Sequence, residues 1–400
     1  MKRLLVIGYG MTAHRLVAEL RSRDRAGRWR ILVLGEEPYA AYNRIALADR
    51  LRGVPAGKLT LAAQDDPLVE LRTRTRAAAI DRAAHEVVTA AGERLPYDAL
   101  VLATGAVPAR PPLPGAELRG CYVYRTLEDV NAIRAAAKPA PEAVVVGGGL
   151  LGLETAEALH RHLGVRPHVV EAAPHLMPAQ LDRAAAEILS AGLRRTGLRL
   201  HEDMPLRSVD ASPDGTVAGV TLADETRIRT RLVVFTAGTR PRDDLAAAAG
   251  LPRGERGGYL VDADCRTPDP DIWAIGDCAA VEGRRTGTVA PGYAMATRVA
   301  THLTGTPAPA PPRPPAEPST VLKLPGVDVA SLGNPHATTP GAIELTYTSP
   351  APTPRYAKLI LDPDAHTLRA AILLGHPRAH PRLEALMGRE LPSSAEQLLA

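Results

Sequence analysis

The sequence predicts an α/β chain with two doubly wound parallel-sheet domains and a small α+β domain at its C-terminal end. Three observations carry this. A short apolar run, a glycine-rich turn and a helical stretch follow one another twice, about 140 residues apart. A proline-rich stretch, Thr306 to Ser319, then interrupts the chain. Beyond it, apolar residues alternate with polar ones, the period of half-buried antiparallel strands.

Leu4-Leu-Val-Ile7 is a continuous apolar run of the kind buried on both faces of a parallel sheet. Gly8-Tyr-Gly10-Met11-Thr-Ala13 follows, then a helical pattern from about His14 to Arg23 and a second run, Ile31–Leu34. The second copy reads Ala143–Val146, Gly147-Gly-Gly149-Leu-Leu-Gly152, a helical pattern from Leu153 to about Leu163, and Pro167–Val170. Each is the opening βαβ of a dinucleotide-binding, Rossmann-like domain. One such turn alone can mark nothing more than close packing. A strand before, a helix after and an acid near the end of the next strand, met twice, weigh against that reading.

Further strand ends lie at Leu100–Gly105, Leu232–Pro241 and Ile272–Asp277. Seven prolines make 306–319 a semi-rigid linker. Strands are expected at Thr320–Leu324, Ile343–Tyr347, Tyr356–Leu361 and Leu368–Leu374, and a helix at Pro381–Met387. The predicted domains are 1–113 with 234–305, then 114–233 inserted between them, then 320–400 after the linker.

Composition excludes several classes. Forty-eight basic against 44 acidic residues give +4, too even for a nucleic-acid-binding tail, and 3% aromatic residues argue against base-stacking surfaces. There is no run of about 18 apolar residues to span a membrane. The apolar run behind Met1-Lys-Arg has four residues, short of the ~7–15 of a signal core. A soluble, cytoplasmic chain with neither nucleic acid nor membrane as partner is expected. Cys121, Cys265 and Cys278 form no C-x-x-C and no quartet, so neither a disulfide framework nor a metal cluster is predicted.

Gly8, Gly10 and Ala13 suit a tight turn, close backbone approach and a helix N-terminus whose free N–H groups attract a pyrophosphate. Glu36 or Glu37 would take the ribose. In the second copy, Gly147, Gly149 and Gly152 are followed 19 residues on by Glu171, with no Arg in the next turn to hold a 2′-phosphate. NAD is therefore favoured over NADP. Two such sites in one chain imply that one nucleotide cofactor reduces another, a flavin and a nicotinamide. Asp277, just after a strand, would accept from a ribityl hydroxyl.

Four stretches carry a family resemblance: Ile7-Gly-Tyr-Gly-Met-Thr-Ala-His14, Gly35-Glu-Glu-Pro-Tyr-Ala-Ala-Tyr-Asn-Arg-Ile-Ala-Leu47, Val289-Ala-Pro-Gly-Tyr293 and Val321-Leu-Lys-Leu-Pro-Gly-Val-Asp-Val329. The chain resembles the glutathione-reductase-like flavoprotein reductases of the pyridine nucleotide-disulfide oxidoreductase superfamily. It is most similar to the FAD/NAD module at the front of NAD(P)H nitrite reductase large subunits, then to rubredoxin and ferredoxin reductases. The resemblance spans essentially the whole chain, and Tyr42-Asn43-Arg44 is specific to this branch.

The resemblance implies roles residue by residue. Gly8, Gly10 and Met11 would line the FAD pyrophosphate, Glu36 its ribose, and the Ala77 backbone its adenine. Arg44 would lie beside the isoalloxazine, with Thr104, Gly105 and Asp277 along the ribityl and phosphate portion. Val289 would open a helix aimed at the flavin pyrimidine edge, and Glu154 would sit where nicotinamide meets flavin. Lys323 would reach the flavin from the third domain, a solvated strand lysine being the alternative. Arg44, Glu154 and Lys323 are the candidate catalytic residues.

The implied activity is hydride transfer from NADH to FAD, then single electrons to a separate protein: a nitrite or nitrate reductase system, rubredoxin or ferredoxin. The chain would be a monomer or homodimer. An oxygen-using NADH oxidase and a non-catalytic FAD-binding redox sensor are the alternatives. Departures from the family pattern narrow this. The stretch Tyr39–Leu51 lacks the C-x4-C pair of disulfide-reducing relatives, which excludes an internal dithiol. Cys265 and Cys278 read as small core residues. No cysteine-rich iron–sulfur portion follows, so nitrite itself would not be the substrate. His160-Arg-His162 reads as a helix surface and His376/His380 as part of a solvated element.

Overall fold

The computed structural model describes residues 1–285, 287–305, 319–336, 340–349, 354–376, 378–392 and 398–399; of the predicted linker only Ser319 is among them. In chain order the main helices are α1 (Met11–Arg23), α2 (Leu47–Arg52), α3 (Leu127–Ala137), α4 (Leu150–Leu163), α5 (Arg183–Arg195), α6 (Val289–Thr304) and α7 (Ala379–Leu386). The chain divides into two compact units. The first is Met1–Ala46, Pro55–Val107 and Thr239–Pro315; the second is Leu47–Val54, Pro108–Gly238 and Ala316–Ala400.

In the first unit five parallel strands run side by side in the order Ile272–Ala274, Ala99–Leu102, Lys2–Ile7, Trp29–Leu34, Val69–Arg72. Leu4 to Ile7 are all buried, which is why the sequence shows an unbroken apolar run there. Leu16, Val17 and Leu20 of α1 and Met295, Ala296, Val299 and Ala300 of α6 complete that core. A separate antiparallel sheet, Ala77–Asp81, Glu86–Thr89 and Arg94–Pro96, lies between the third and fourth strands in sequence.

The second unit repeats the plan: Arg199–His201, Arg166–Val170, Glu142–Val146, Val233–Phe235 and Cys121–Val123 form a parallel sheet in that order. Its last 80 or so residues add a five-stranded antiparallel sheet ordered Ser319–Leu324, Val327–Leu332, Leu368–Leu374, Arg355–Leu361, Ile343–Ser349. Tyr356 Oη donates to Asp182 at the start of α5 over 2.6 Å, within the same unit.

Both sequence-read helices start three residues earlier than expected. Gly10 and Gly149 are extended N-caps (φ −90°, ψ −170° and φ −81°, ψ −178°), so each helix begins at once after its second glycine. The strand Val327–Leu332 has no alternating signal because Val329 to Leu332 are all buried, so both of its faces are covered. Two histidine expectations are corrected. His376 is buried, with Nδ1 3.2 Å from the Leu399 carbonyl, and is no part of a solvated surface. His160 is half-buried against Gly197, its Nδ1 3.2 Å from the Val165 carbonyl, and helps close α4; Arg161 and His162 are exposed. No described helix is long and apolar enough to cross a membrane.

Candidate dinucleotide-binding sites

Gly8 has φ +101°, and a Cβ there would stand 2.2 Å from the Ala103 carbonyl oxygen. The turn is therefore pressed onto the next strand end, which only glycine allows. Gly10 differs. A Cβ there would meet nothing nearer than Arg44 Nε at 3.9 Å, and Gly10 gives α1 no side-chain cap. Packing within the protein does not demand a glycine at that point. What the two glycines leave is room in front of unshared N–H groups, the cradle a pyrophosphate requires. Ala13, one turn on, is buried.

The first turns of α1 and α6 meet at Thr12. A Cβ on Gly292 would lie 2.8 Å from its Oγ1, and one on Gly276 3.0 Å from it. Val289 opens α6 one turn before Gly292, and Asp277 stands half-buried between the buried Gly276 and Cys278. Arg44 lies over the Tyr42 ring at 4.7 Å, donates to Tyr42 Oη over 2.7 Å and pairs with Glu37. Burial opposes the Arg44 charge, but Tyr42, Glu37 and Asp277 more than offset it and hold its pKa above the ordinary value. Glu36 is exposed and pairs with Arg242, whose carbonyl accepts from Thr104 Oγ1 at 2.5 Å and whose N–H donates to the Gly105 carbonyl at 2.9 Å. Thr75 N–H donates to the Gly35 carbonyl, which brings the chain leading to Ala77 beside Glu36.

The second unit holds the matching cradle. A Cβ on Gly147 would meet Thr236 at 3.0 Å, and one on Gly152 would meet the Gly147 carbonyl at 1.9 Å, whereas at Gly149 nothing lies within 4 Å. Again the glycine just before the helix is open while the positions around it are tight. Glu171 Oε2 accepts from the Gly148 N–H at 2.6 Å and Oε1 from the Ala173 N–H at 2.8 Å, so the carboxylate is aimed at the turn. Glu154, in the second turn of α4, is half-buried. Burial, opposed by Arg52 and assisted by Asp49 and Glu157, pushes its carboxyl up to about 7. Lys323 is exposed, paired in register with Asp328, on a strand that packs against α4.

Sequence reading missed several residues that shape these sites. Gly148 is one: a Cβ there would collide with Leu176 at 2.5 Å and press on Glu171. Its signal was its place in the middle of three consecutive glycines. Thr12 and Thr236, the partners that force glycine at 276, 292, 147 and 152, carry no pattern of their own. Arg242, far from Glu36 in sequence, carries none either. Cys278 is fully buried and Cys265 buried, and burial pushes the Cys265 thiol up to about 12; neither is a thiolate at neutral pH. Among the described residues no group of three or more His, Cys, Asp or Glu could hold a metal ion.

Residues 2–301 match the family described as pyridine nucleotide-disulphide oxidoreductase. The chain is 41% identical over 401 residues to the nitrite reductase (NAD(P)H) large subunit of Klebsiella oxytoca, covering 99% of this chain and 41% of the relative. It is 30% identical over 404 residues to the biphenyl dioxygenase system ferredoxin–NAD(+) reductase component of Paraburkholderia xenovorans strain LB400, covering 99% of this chain and 95% of that one. The solved ferredoxin reductase for the CYP199A2 system from Rhodopseudomonas palustris superposes with a TM-score of 0.84 at 26% identity, covering 100% of both chains. The chain spans less than half the length of the nitrite reductase relatives it matches, 41% in one case and 47% in another.

Proposed function

The chain belongs to the pyridine nucleotide-disulphide oxidoreductase family, and from that premise we propose that it is an FAD-dependent NAD(P)H oxidoreductase that serves a separate electron-accepting protein. The observation that carries this is the repeated cradle. Gly10 and Gly149 each leave open space before an uncapped helix, while Gly8, Gly147 and Gly152 are locked by backbone contacts. The residues present fit two dinucleotides.

In the first unit Gly8, Gly10 and Met11 would hold the pyrophosphate of FAD, Glu36 its ribose, Ala77 its adenine, and Thr104, Gly105 and Asp277 its ribityl and phosphate portion. Arg44 and the Val289 end of α6 supply positive potential on that side. In the second unit Gly147, Gly149, Gly152 and Glu171 would hold NAD(H), with Glu154 as the acid on the nicotinamide side. Bound FAD would take two electrons from a nicotinamide and release them singly. Glu171 supports NAD over NADP, because its charge would repel a 2′-phosphate and no Arg follows it in the next turn. Ferredoxin-type proteins and a nitrite-reducing partner are the acceptors this reading favours, in the cytoplasm, with the chain a monomer or homodimer. The three-domain division predicted from the sequence stays part of the proposal.

The test is anaerobic mixing of FAD-loaded protein with NADH, followed by addition of a ferredoxin. Flavin bleaching, then fast reoxidation by the ferredoxin, is expected. Reoxidation by oxygen alone at the same rate would favour an oxidase. Failure to bleach would leave a redox sensor, and failure to bind FAD would overturn the reading.

A further inference from the structure

One charged cluster in the second unit is not absorbed by the nucleotide cradle. Helix α2 follows the Arg44 segment directly, yet it belongs to the second unit. Leu47 and Leu51 are buried, Arg50 Nε donates to Asn131 Oδ1 over 2.9 Å, and Arg134 Nη1 donates to the Arg50 and Leu51 carbonyls over 3.0 and 2.5 Å. Those contacts already fasten α2 to α3. Arg52 adds something else. Its Nη2 donates to Glu157 Oε2 on α4 over 3.1 Å and its Nη1 to Asp49 Oδ1 over 3.0 Å. Glu157 is only 5% exposed, and a buried ion pair is seldom the cheapest way to hold two helices together.

One turn back on α4 stands Glu154. Among the described residues its carboxyl has no hydrogen bond or ion pair of its own. The charges acting on it are Arg52 and Asp49 from α2 and Glu157 from α4 itself. Tyr124, from the segment after Cys121–Val123, interacts with it electrostatically, and its buried hydroxyl has no hydrogen-bond partner among the described residues. The other charges on elements packed against α4 are engaged elsewhere or exposed: Arg50 and Arg134 as above, Asp129 in the cap of α3, Glu142 with Arg166 and Arg199, His168 with His201, and Glu128 and Lys323 at the surface. Arg161, on α4, lies 3.5 Å from Glu157.

Resting on the functional reading above, we infer that Arg52 is a positioning residue for Glu154: paired with Glu157, it ties α2 to α4 and holds its guanidinium on α4 one turn from the Glu154 carboxyl. Arg52 thereby sets how readily the nicotinamide-side acid holds a proton. Without it, three carboxylates (Asp49, Glu154 and Glu157) would lie near one another with only Arg161, beside Glu157, to balance them, which favours the protonated acid. Glu157 works in the opposite sense. It occupies Arg52 and adds its own negative charge.

The measurement is a carboxyl ¹³C titration of glutamate-labelled, FAD-loaded protein, with the Glu154 signal identified by its loss in Glu154→Gln. Arg52→Gln should move the Glu154 midpoint up by about one unit, and Glu157→Gln should move it down by a similar amount. Arg52→Lys should hold it near the wild-type value. Both glutamine variants break the same latch, so simple loosening of α2 would move the two midpoints the same way. A shared direction, or no movement, overturns the inference. If Arg52→Gln does not fold, an unmoved midpoint in Arg52→Lys together with a lowered one in Glu157→Gln decides. Flavin reduction by NADH is recorded beside the titration: its absence in wild type would strike at the proposed function, while the midpoints still judge Arg52.

Discussion

The Glu171 carboxylate accepts a 2.6 Å hydrogen bond from the Gly148 N–H, so the acid at the strand end braces the glycine turn as well as facing the expected ribose. The two duties can be separated by substitution. Glutamine keeps an acceptor for Gly148 and removes the charge; alanine removes both.

Glu171→Gln should therefore narrow the preference for NADH over NADPH by about tenfold in kcat/KM while NADH turnover persists. Glu171→Ala should narrow it too, and in addition weaken both nucleotides by freeing the turn. Steady-state kinetics with each nucleotide check this. A wild type that prefers NADPH would remove Glu171 from the ribose.

Gly10 and Gly8 should fail in different ways. Gly10→Val introduces a side chain into open space at an ordinary backbone conformation, so the fold should hold and FAD should be lost. Gly8→Ala forces a Cβ to 2.2 Å from a carbonyl oxygen at φ +101°, which should cost about 2–4 kcal/mol of stability. Thermal melting and flavin absorbance, read together, separate the two. Equal melting losses would mean that Gly10 is a packing glycine.

These contrasts show where the sequence was legible. The glycine turns were readable because a tight turn, an uncapped helix and a strand-end acid leave their marks within about 30 residues of one another. Glu36 with Arg242 and Thr12 with Gly276 were not, since each pair is brought together only by strand order. Val327–Leu332 was hidden by being buried on both faces. The attachment of α2 to the second unit could not be read either, because its buried residues, Leu47, Ala48 and Leu51, are what any short helix would show.

Acid should weaken the second unit through His168. Burial, with His201 and Arg199 beside it, pushes the His168 imidazole down to about 4. The unfolded chain takes up that proton near 6.5, so stability is full above that pH and falls as pH drops towards 4, by about 1–3 kcal/mol. His168→Phe should flatten this part of the profile, whatever it does to stability at pH 8. Urea unfolding at pH 5 and 8 gives the slope, and an unaltered slope would clear His168.

On the proposal that Lys323 reaches the flavin, Lys323→Met should lower the flavin reduction potential and leave NADH binding unchanged, because a cation near the flavin favours its reduced anionic form. Exposure will dilute the effect. Spectroelectrochemical titration beside NADH binding checks it. An unshifted potential makes Lys323 a solvated strand lysine.

Because each unit is assembled from three separated stretches, neither can be finished during synthesis before the other has begun. Leu16, Val17 and Leu20 of α1 share a core with α6, which starts at Val289. At ~5–20 residues per second, that apolar face waits roughly 15–60 s on the ribosome for its cover. The nascent N-terminal βαβ thus carries an apolar face that nothing later in the first unit covers until α6 is made. A messenger cut short before the codons of α6 would leave the whole chain made so far without a closed first unit, however well its early strands pair.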